Sequence, residues 1–151
     1  MIKVRMVCVG KLREKYFADA CREYEKRLTR FCKFSLTEAP ECAEGDKKRV
    51  LAREEEGILR ALEGKVILFD PKGEKVSSEA FSERILRLSS HGETLTFVIG
   101  GSQGVSETVQ KRADLRLSVS DMTFPHMLFR VMAEEQIYRA FMIAAGAEYH
   151  K

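Results

Sequence analysis

The chain has 151 residues, 44% hydrophobic and 32% charged, with three prolines and ten glycines. That length suits a single domain, here spanning 1–151, with a sizeable core that needs no disulfide, and the composition excludes disordered, collagen-like and low-complexity classes. With 26 basic and 23 acidic residues the net charge is only +3, which permits an anionic partner without demanding one.

The first nine residues interleave charge with aliphatics and read as a strand over 2–9 in a cytoplasmic protein, because a secretory leader needs a continuous apolar stretch. Lys11, Arg13 and Lys15 follow as a small basic cluster. Phe17, Cys21, Tyr24, Leu28 and Phe31 then recur at steps of four and three, the mark of an amphipathic helix. A second strand is expected over 34–38, and 39–46, with Pro40 and Gly45, reads as a loop. A helix is expected over 50–62. Lys47, Lys48, Arg49 and Arg53 beside Glu54, Glu55 and Glu56 read mainly as its solvated face. Strands over 66–70, 95–100 and 115–119 are separated by two further helices. One is capped by Ser77 or Ser78 and carries Phe81, Ile85 and Leu88, with Gly92 just past its end; the other starts at Ser106 and Glu107. Strand and helix alternate, which favours an α/β fold: a mainly parallel sheet with helices on both faces.

In such sheets ligands bind beyond the carboxyl ends of the strands. Gly100-Gly101-Ser102-Gln103-Gly104 lets the backbone approach a ligand closely, yet matches neither the dinucleotide fingerprint nor a phosphate-binding P-loop. Taken alone it reads equally as a tight turn. Asp70-Pro71 closes the third strand as turn former or ligand contact. The segment 118–126 leads to His126 at the start of the last helix.

That helix, 125–145, carries apolar residues on more than one face, so it must be covered twice: once by the sheet and once by a second copy of the chain. Within it Arg130 with Glu134, and Glu135 with Arg139, stand four apart, as surface ion pairs do. The apolar run 141–145 is far too short to span a bilayer. Cys8, Cys21, Cys32 and Cys42 show no zinc-ligand spacing with His91, His126 or His150 and read as incidental thiols. A nucleophilic triad or a catalytic metal has no sequence support.

Ile99-Gly100-Gly101-Ser102-Gln103-Gly104, the stretch Met122-Thr123-Phe124-Pro125-His126-Met127-Leu128-Phe129-Arg130-Val131, Glu135-Gln136-Ile137-Tyr138-Arg139-Ala140 and the closing Tyr149-His150 closely resemble the RlmH family. Its members are bacterial 23S rRNA pseudouridine N3-methyltransferases of the SPOUT class. The likeness extends to Val7-Cys8-Val9-Gly10-Lys11-Leu12 and Glu23-Tyr24-Glu25-Lys26-Arg27-Leu28, and so over essentially the whole chain. The resemblance implies a C-terminal trefoil knot, a homodimer and S-adenosyl-L-methionine as methyl donor. It carries donor contacts over to Phe69, Gly100, Val119, Ser120, Asp121, Met122, Thr123 and Phe124, with Phe69 standing where leucine is expected. It further implies methyl transfer to a pseudouridine N3 in large-subunit rRNA, on ribosomes or large subunits, with neither metal nor membrane involved.

His126, Arg130, Arg139, Tyr149 and His150 are the candidates for catalysis. A histidine with its ordinary pKa of about 6.5 suits proton removal, and guanidinium suits phosphate or uracil oxygens. Lys11, Arg13 and Lys15 are the candidates for rRNA phosphate contact. The competing readings are a non-catalytic ribosome- or RNA-associated module of the same fold, and a structural dimer with no ligand.

Overall fold

A computed structural model describes residues 1–149; His150 and Lys151, and with them the proposed role of His150, lie outside it. The chain runs β1 (Ile2–Val9), α1 (Lys15–Leu28), β2 (Cys32–Ala39), α2 (Lys47–Ala61), β3 (Lys65–Lys75), α3 (Ser78–Leu88), β4 (Leu95–Ile99), α4 (Glu107–Arg112), β5 (Leu115–Ser118) and α5 (His126–Ala144). The five strands form one sheet in the order β2-β1-β4-β3-β5, and every pairing is parallel. The α/β class expected from the alternation of elements is the one observed.

The sheet has two apolar faces because successive side chains point to opposite sides. Val4, Met6 and Cys8 of β1, Ile67 and Phe69 of β3, and Leu95, Phe97 and Ile99 of β4 meet Leu28 of α1, Phe81 and Ile85 of α3, and Ile137 and Phe141 of α5. The alternate residues Val7, Val9, Val66, Leu68 and Val98 meet Ile58 of α2 and Val109 of α4. Fully burying one such side chain is worth roughly 1.5–3 kcal/mol, so both layers are strongly held.

The helices start where their caps dictate. Asp46, Ser77 and Ser106 accept hydrogen bonds from the backbone N–H groups of Arg49, Ala80 and Val109. The cap at Asp46 starts α2 three residues before the apolar periodicity begins, which is why the pattern alone places the helix at 50.

One expectation is modified at β3, which continues past Asp70-Pro71 to Lys75. The turn chemistry acts inside the strand: Asp70 Oδ1 accepts from the Lys72 N–H at 2.9 Å, and the register against β5 jumps between Phe69 and Glu74. The intervening residues bulge out and the ladder then resumes.

Candidate active site

Because β1, β3, β4 and β5 are parallel, their carboxyl ends open on one rim, and a cavity of about 220 Å³ lies there. Phe69 and Asp70 come from β3, Gly100, Gly101, Ser102 and Gly104 from the loop after β4, and Leu117 and Ser118 from β5. Val119, Ser120, Met122, Thr123 and Phe124 come from the loop that follows, and His126 and Phe129 from the first turn of α5. All the residues proposed for donor contact are here except Asp121, which pairs instead with Lys75 outside the cavity wall.

Local chemistry shapes both loops. The Gly104 N–H bonds the Gly101 carbonyl at 3.0 Å and folds the glycine loop back on itself. A Cβ on Gly100 would sit 2.6 Å from the Gly104 carbonyl oxygen and 2.8 Å from Val105 Cγ1, so no larger residue fits this turn. Gly104 has φ +82°, a conformation that favours glycine. In the second loop Ser118 Oγ donates to the Ser120 carbonyl at 2.9 Å, and Ser120 Oγ accepts from the Met122 N–H at 3.0 Å. Behind them the Phe69 ring sits against Phe129 and Phe97, with centroids 5.3 and 5.9 Å away. Aromatic walls with backbone polar groups at the mouth suit a flat heterocycle joined to a polar chain.

The last helix divides its charges. Arg130 is 1% exposed. Its Nη1 reaches Glu38 Oε2 of β2 at 2.7 Å, and its Nη2 donates to the Gly10 carbonyl at 2.9 Å. The expected surface pair with Glu134 is therefore not formed, because α5 turns this arginine inward over the end of β1. Glu134 is fully buried, close to Glu25 and Cys21 of α1. Burial, followed by the nearby Glu25, pushes its carboxyl up to about 9. The second pair forms as expected: Arg139 Nε and Nη2 meet Glu135 Oε1 at 2.8 and 2.7 Å. Tyr149 joins it, donating to Glu135 Oε2 at 2.8 Å with its ring 4.7 Å from the Arg139 guanidinium carbon. Tyr149 is thus tied down. Burial and the Glu135 carboxylate both raise the Tyr149 phenol.

Lys11, Arg13 and Lys15 are exposed. They follow Gly10, where a Cβ would lie 3.6 Å from the Met127 methyl group of α5, so this basic segment begins near the start of α5. Lys15 spends its charge on Asp19 at 2.7 Å.

The family model described as "Predicted SPOUT methyltransferase" matches residues 2–150. The chain belongs to the SPOUT methyltransferase family. Its relatives include proteins named "Ribosomal RNA large subunit methyltransferase H" from Caldicellulosiruptor saccharolyticus and Lactobacillus helveticus, each 45% identical. The alignments cover 98% and 99% of this chain, and 99% and 100% of the relatives. Two solved structures share the fold at low identity. A probable methylase family protein from Haemophilus influenzae has a TM-score of 0.61 at 11% identity, covering 100% of this chain and 72% of the other. A probable methyltransferase from Bordetella pertussis has a TM-score of 0.59 at 12% identity, covering 92% and 94%. The enzyme reading of the sequence therefore stands over its non-catalytic alternatives.

In this SPOUT methyltransferase no group of three or more metal-ligating side chains occurs among the described residues, and no helix there is long and apolar enough to cross a membrane. Two acids at the site are not singled out by motif reading. Glu38 is a plain strand residue until Arg130 meets it. Glu54 stands in a run of three glutamates that reads as solvated, yet it is 3% exposed. The available signal was its spacing: Val50, Glu54 and Ile58 are buried on α2 at steps of four.

Proposed function

We propose that this enzyme transfers a methyl group from S-adenosyl-L-methionine to N3 of a pseudouridine in 23S rRNA, within ribosomes or large subunits in the cytoplasm, and works as a homodimer whose C-terminal part is a trefoil knot. The observation that carries the reading is the cavity itself, built from the three strand ends that supply Phe69, Gly100, Val119, Ser120, Met122, Thr123 and Phe124. The names of the full-length relatives support the rRNA substrate.

The donor fits the residues present. Apolar rings of Phe69, Phe124 and Phe129 suit an adenine, and the backbone groups freed at Gly100 and in the loop 119–124 suit its polar substituents. When bound, S-adenosyl-L-methionine supplies an electrophilic methyl group on a cationic sulfur. The chain's own residues must hold the nucleotide in line, exclude water and take the N3 proton. His126, which lines the cavity, is the candidate for taking the proton, with His150 as the second.

Arg139 and Tyr149 act on the nucleotide from another direction. Arg139 lies thirteen positions after His126 on one helix, about 20 Å along its axis. It therefore serves the cavity of the partner protomer, which is why the dimer is required. Arg130 contributes by fixing α5 against β1, and Lys11, Arg13 and Lys15 engage rRNA phosphates.

The test is transfer of labelled methyl to ribosomes from a strain lacking this modification, followed by mapping of the labelled nucleotide. Label on a large-subunit pseudouridine is expected. Removal of 149–151 is expected to abolish transfer while sparing donor binding. Measurable donor binding by the intact protein with no label on any ribosomal RNA would overturn the reading.

A further inference from the structure

On the face of the sheet that α2 covers, alternate residues of β1 are Lys3, Arg5, Val7 and Val9. Val7 and Val9 are buried there with Ile58 of α2. The helix ends at Ala61, whose carbonyl accepts from Arg5 Nη1 at 2.9 Å, and Lys3, beyond that end, is left exposed. β2 repeats the pattern, with Ala39 buried on this face and Lys33 and Ser35 exposed. The result is an open groove of about 340 Å³ at the amino end of the sheet, where Lys3, Arg5, Lys33, Ser35, Glu63 and Thr94 meet.

Three cations share this groove with one anion, and the anion is already committed. Glu63 pairs with Arg5 Nη2 at 2.9 Å and accepts from Thr94 Oγ1 at 3.0 Å. Lys3 and Lys33 form no ion pair among the described residues, yet they are register partners on neighbouring parallel strands, which lie about 4.8 Å apart. Like charges side by side on a sheet are destabilising. A lysine that blunts an exposed sheet edge accounts for Lys33 on β2. It does not account for Lys3, because β1 lies inside the sheet between β2 and β4, where parallel strands are ordinarily aliphatic. Two adjacent unneutralised cations beside an exposed hydroxyl suit a phosphodiester. A second copy of the chain would bring like charge to like charge across a two-fold axis.

We propose that this groove is a second rRNA contact, in which Lys3 and Lys33 hold the phosphate backbone and the Ser35 hydroxyl donates to it. The site rests on the rRNA substrate proposed above. Lys3 stands seven residues before Gly10 on a strand that rises about 3.3 Å per residue, so the groove lies roughly 23 Å from the rim that carries the cavity. It therefore holds ribosomal RNA away from the target nucleotide and contributes to docking, not to the chemical step. With Lys11 and Arg13 at the other end of β1, it fixes the orientation of the protein on its substrate.

Lys33→Glu separates this role from a solvated surface and from a structural one. The substitution turns repulsion with Lys3 into attraction, so the thermal midpoint should hold or rise. Binding of the full-length protein to large subunits at about 0.1 M salt should weaken about five- to tenfold, and the slope of log affinity against log salt should shrink by about one. In steady-state methylation KM for the large subunit should rise with kcat unchanged, and donor affinity by calorimetry should stay the same. Lys3→Glu should behave alike. Lys48→Glu makes the same change of net charge on the exposed start of α2 and should leave ribosome binding unchanged.

Wild-type binding by Lys33→Glu overturns the proposal. So does an equal loss in Lys48→Glu, which would make net charge the cause, or a loss that tracks a lowered thermal midpoint. If Lys33→Glu does not fold, Lys33→Gln carries the same comparison with a smaller expected loss. A wild type that neither binds nor methylates ribosomes counts against the substrate reading. The same variants on protein-free large-subunit rRNA then judge the groove separately: weaker binding by Lys33→Glu supports it, and equal binding or none by the wild type overturns it.

Discussion

The guanidinium of Arg130 meets the carboxylate of Glu38 at 2.7 Å across 92 residues of sequence, joining the last helix to the edge strand β2. The same side chain bonds the Gly10 carbonyl at the end of β1. One buried cation therefore fixes α5, and with it His126, to the rim that carries the cavity.

Breaking this junction is costly. Arg130→Ala is expected to destabilise the fold by about 3 kcal/mol, because the Gly10 carbonyl loses its buried donor and Glu38 its counterion. Arg130→Met restores volume without charge and should recover only a minor part. Urea unfolding of both variants checks the order, and recovery of most of the loss by methionine would make packing the dominant effect.

The buried Glu134 carboxyl makes stability depend on pH in a defined direction. Its folded-state pKa, raised to about 9, exceeds the unfolded value of about 4.3. The folded state therefore holds more protons between these values, and stability falls as pH rises through that window. The contribution from this group approaches about 1.4 kcal/mol per pH unit. Glu134→Gln keeps a neutral side chain and should flatten the dependence. Denaturant midpoints at pH 6 and pH 8.5 measure it, and equal slopes for the two proteins would refute the assignment.

The four thiols should differ sharply in reactivity. Burial pushes Cys8 and Cys32 up to about 12 and raises Cys21 further, with Glu134 adding to Cys21, so each is almost wholly protonated at pH 8. Cys42 is half-exposed, its thiol turned toward the Glu44 carbonyl. Iodoacetamide on the native protein at pH 8 should label Cys42 alone, and all four after denaturation. Intact-mass and peptide mapping read the result, and early labelling of Cys8 would contradict the packing of β1.

The glycine loop should separate crowding from strain. Gly100→Ala places a methyl group against Gly104 backbone atoms that cannot yield locally. It should weaken binding of the proposed donor, S-adenosyl-L-methionine, about tenfold or more by calorimetry, a loss of roughly 1.4 kcal/mol. Gly104→Ala meets nothing within 4 Å but must hold φ +82°, costing about 1–2 kcal/mol of stability. Its effect on donor affinity should be the smaller. The reverse order would mean that backbone conformation, not space, limits the loop.

Much of this molecule is written locally. The alternation of aliphatic runs with periodic helices fixes the α/β class, since β1 and β4 read as strands from their residues alone. The serines at 77 and 78, and Ser106, announce their helices because a hydroxyl can satisfy an N–H two or three residues on, and the structure selects Ser77. The glycine loop and the segment from Val119 to His126 are legible for the same reason, as strand ends where backbone groups are free. The apolar residues of α5 are likewise legible, and Ile137 and Phe141 among them meet the sheet as the pattern requires.

Partners separated by many residues are not legible. The i, i+4 rule pairs Arg130 with Glu134, but helix spacing carries no information about which face turns inward, and only the packing of α5 over β1 brings Glu38 to that guanidinium. Asp121 stands in the chain among the cavity-lining residues Val119 to Phe124, yet its carboxylate turns to Lys75. Glu54 is chemically identical to Glu55 and Glu56 in sequence, and the orientation of α2 against the sheet alone buries it beside Gly101. Local interactions act through the covalent neighbourhood that the sequence spells out. Burial and long-range charge pairing exist only once the sheet has assembled, and those are what decide how the site works.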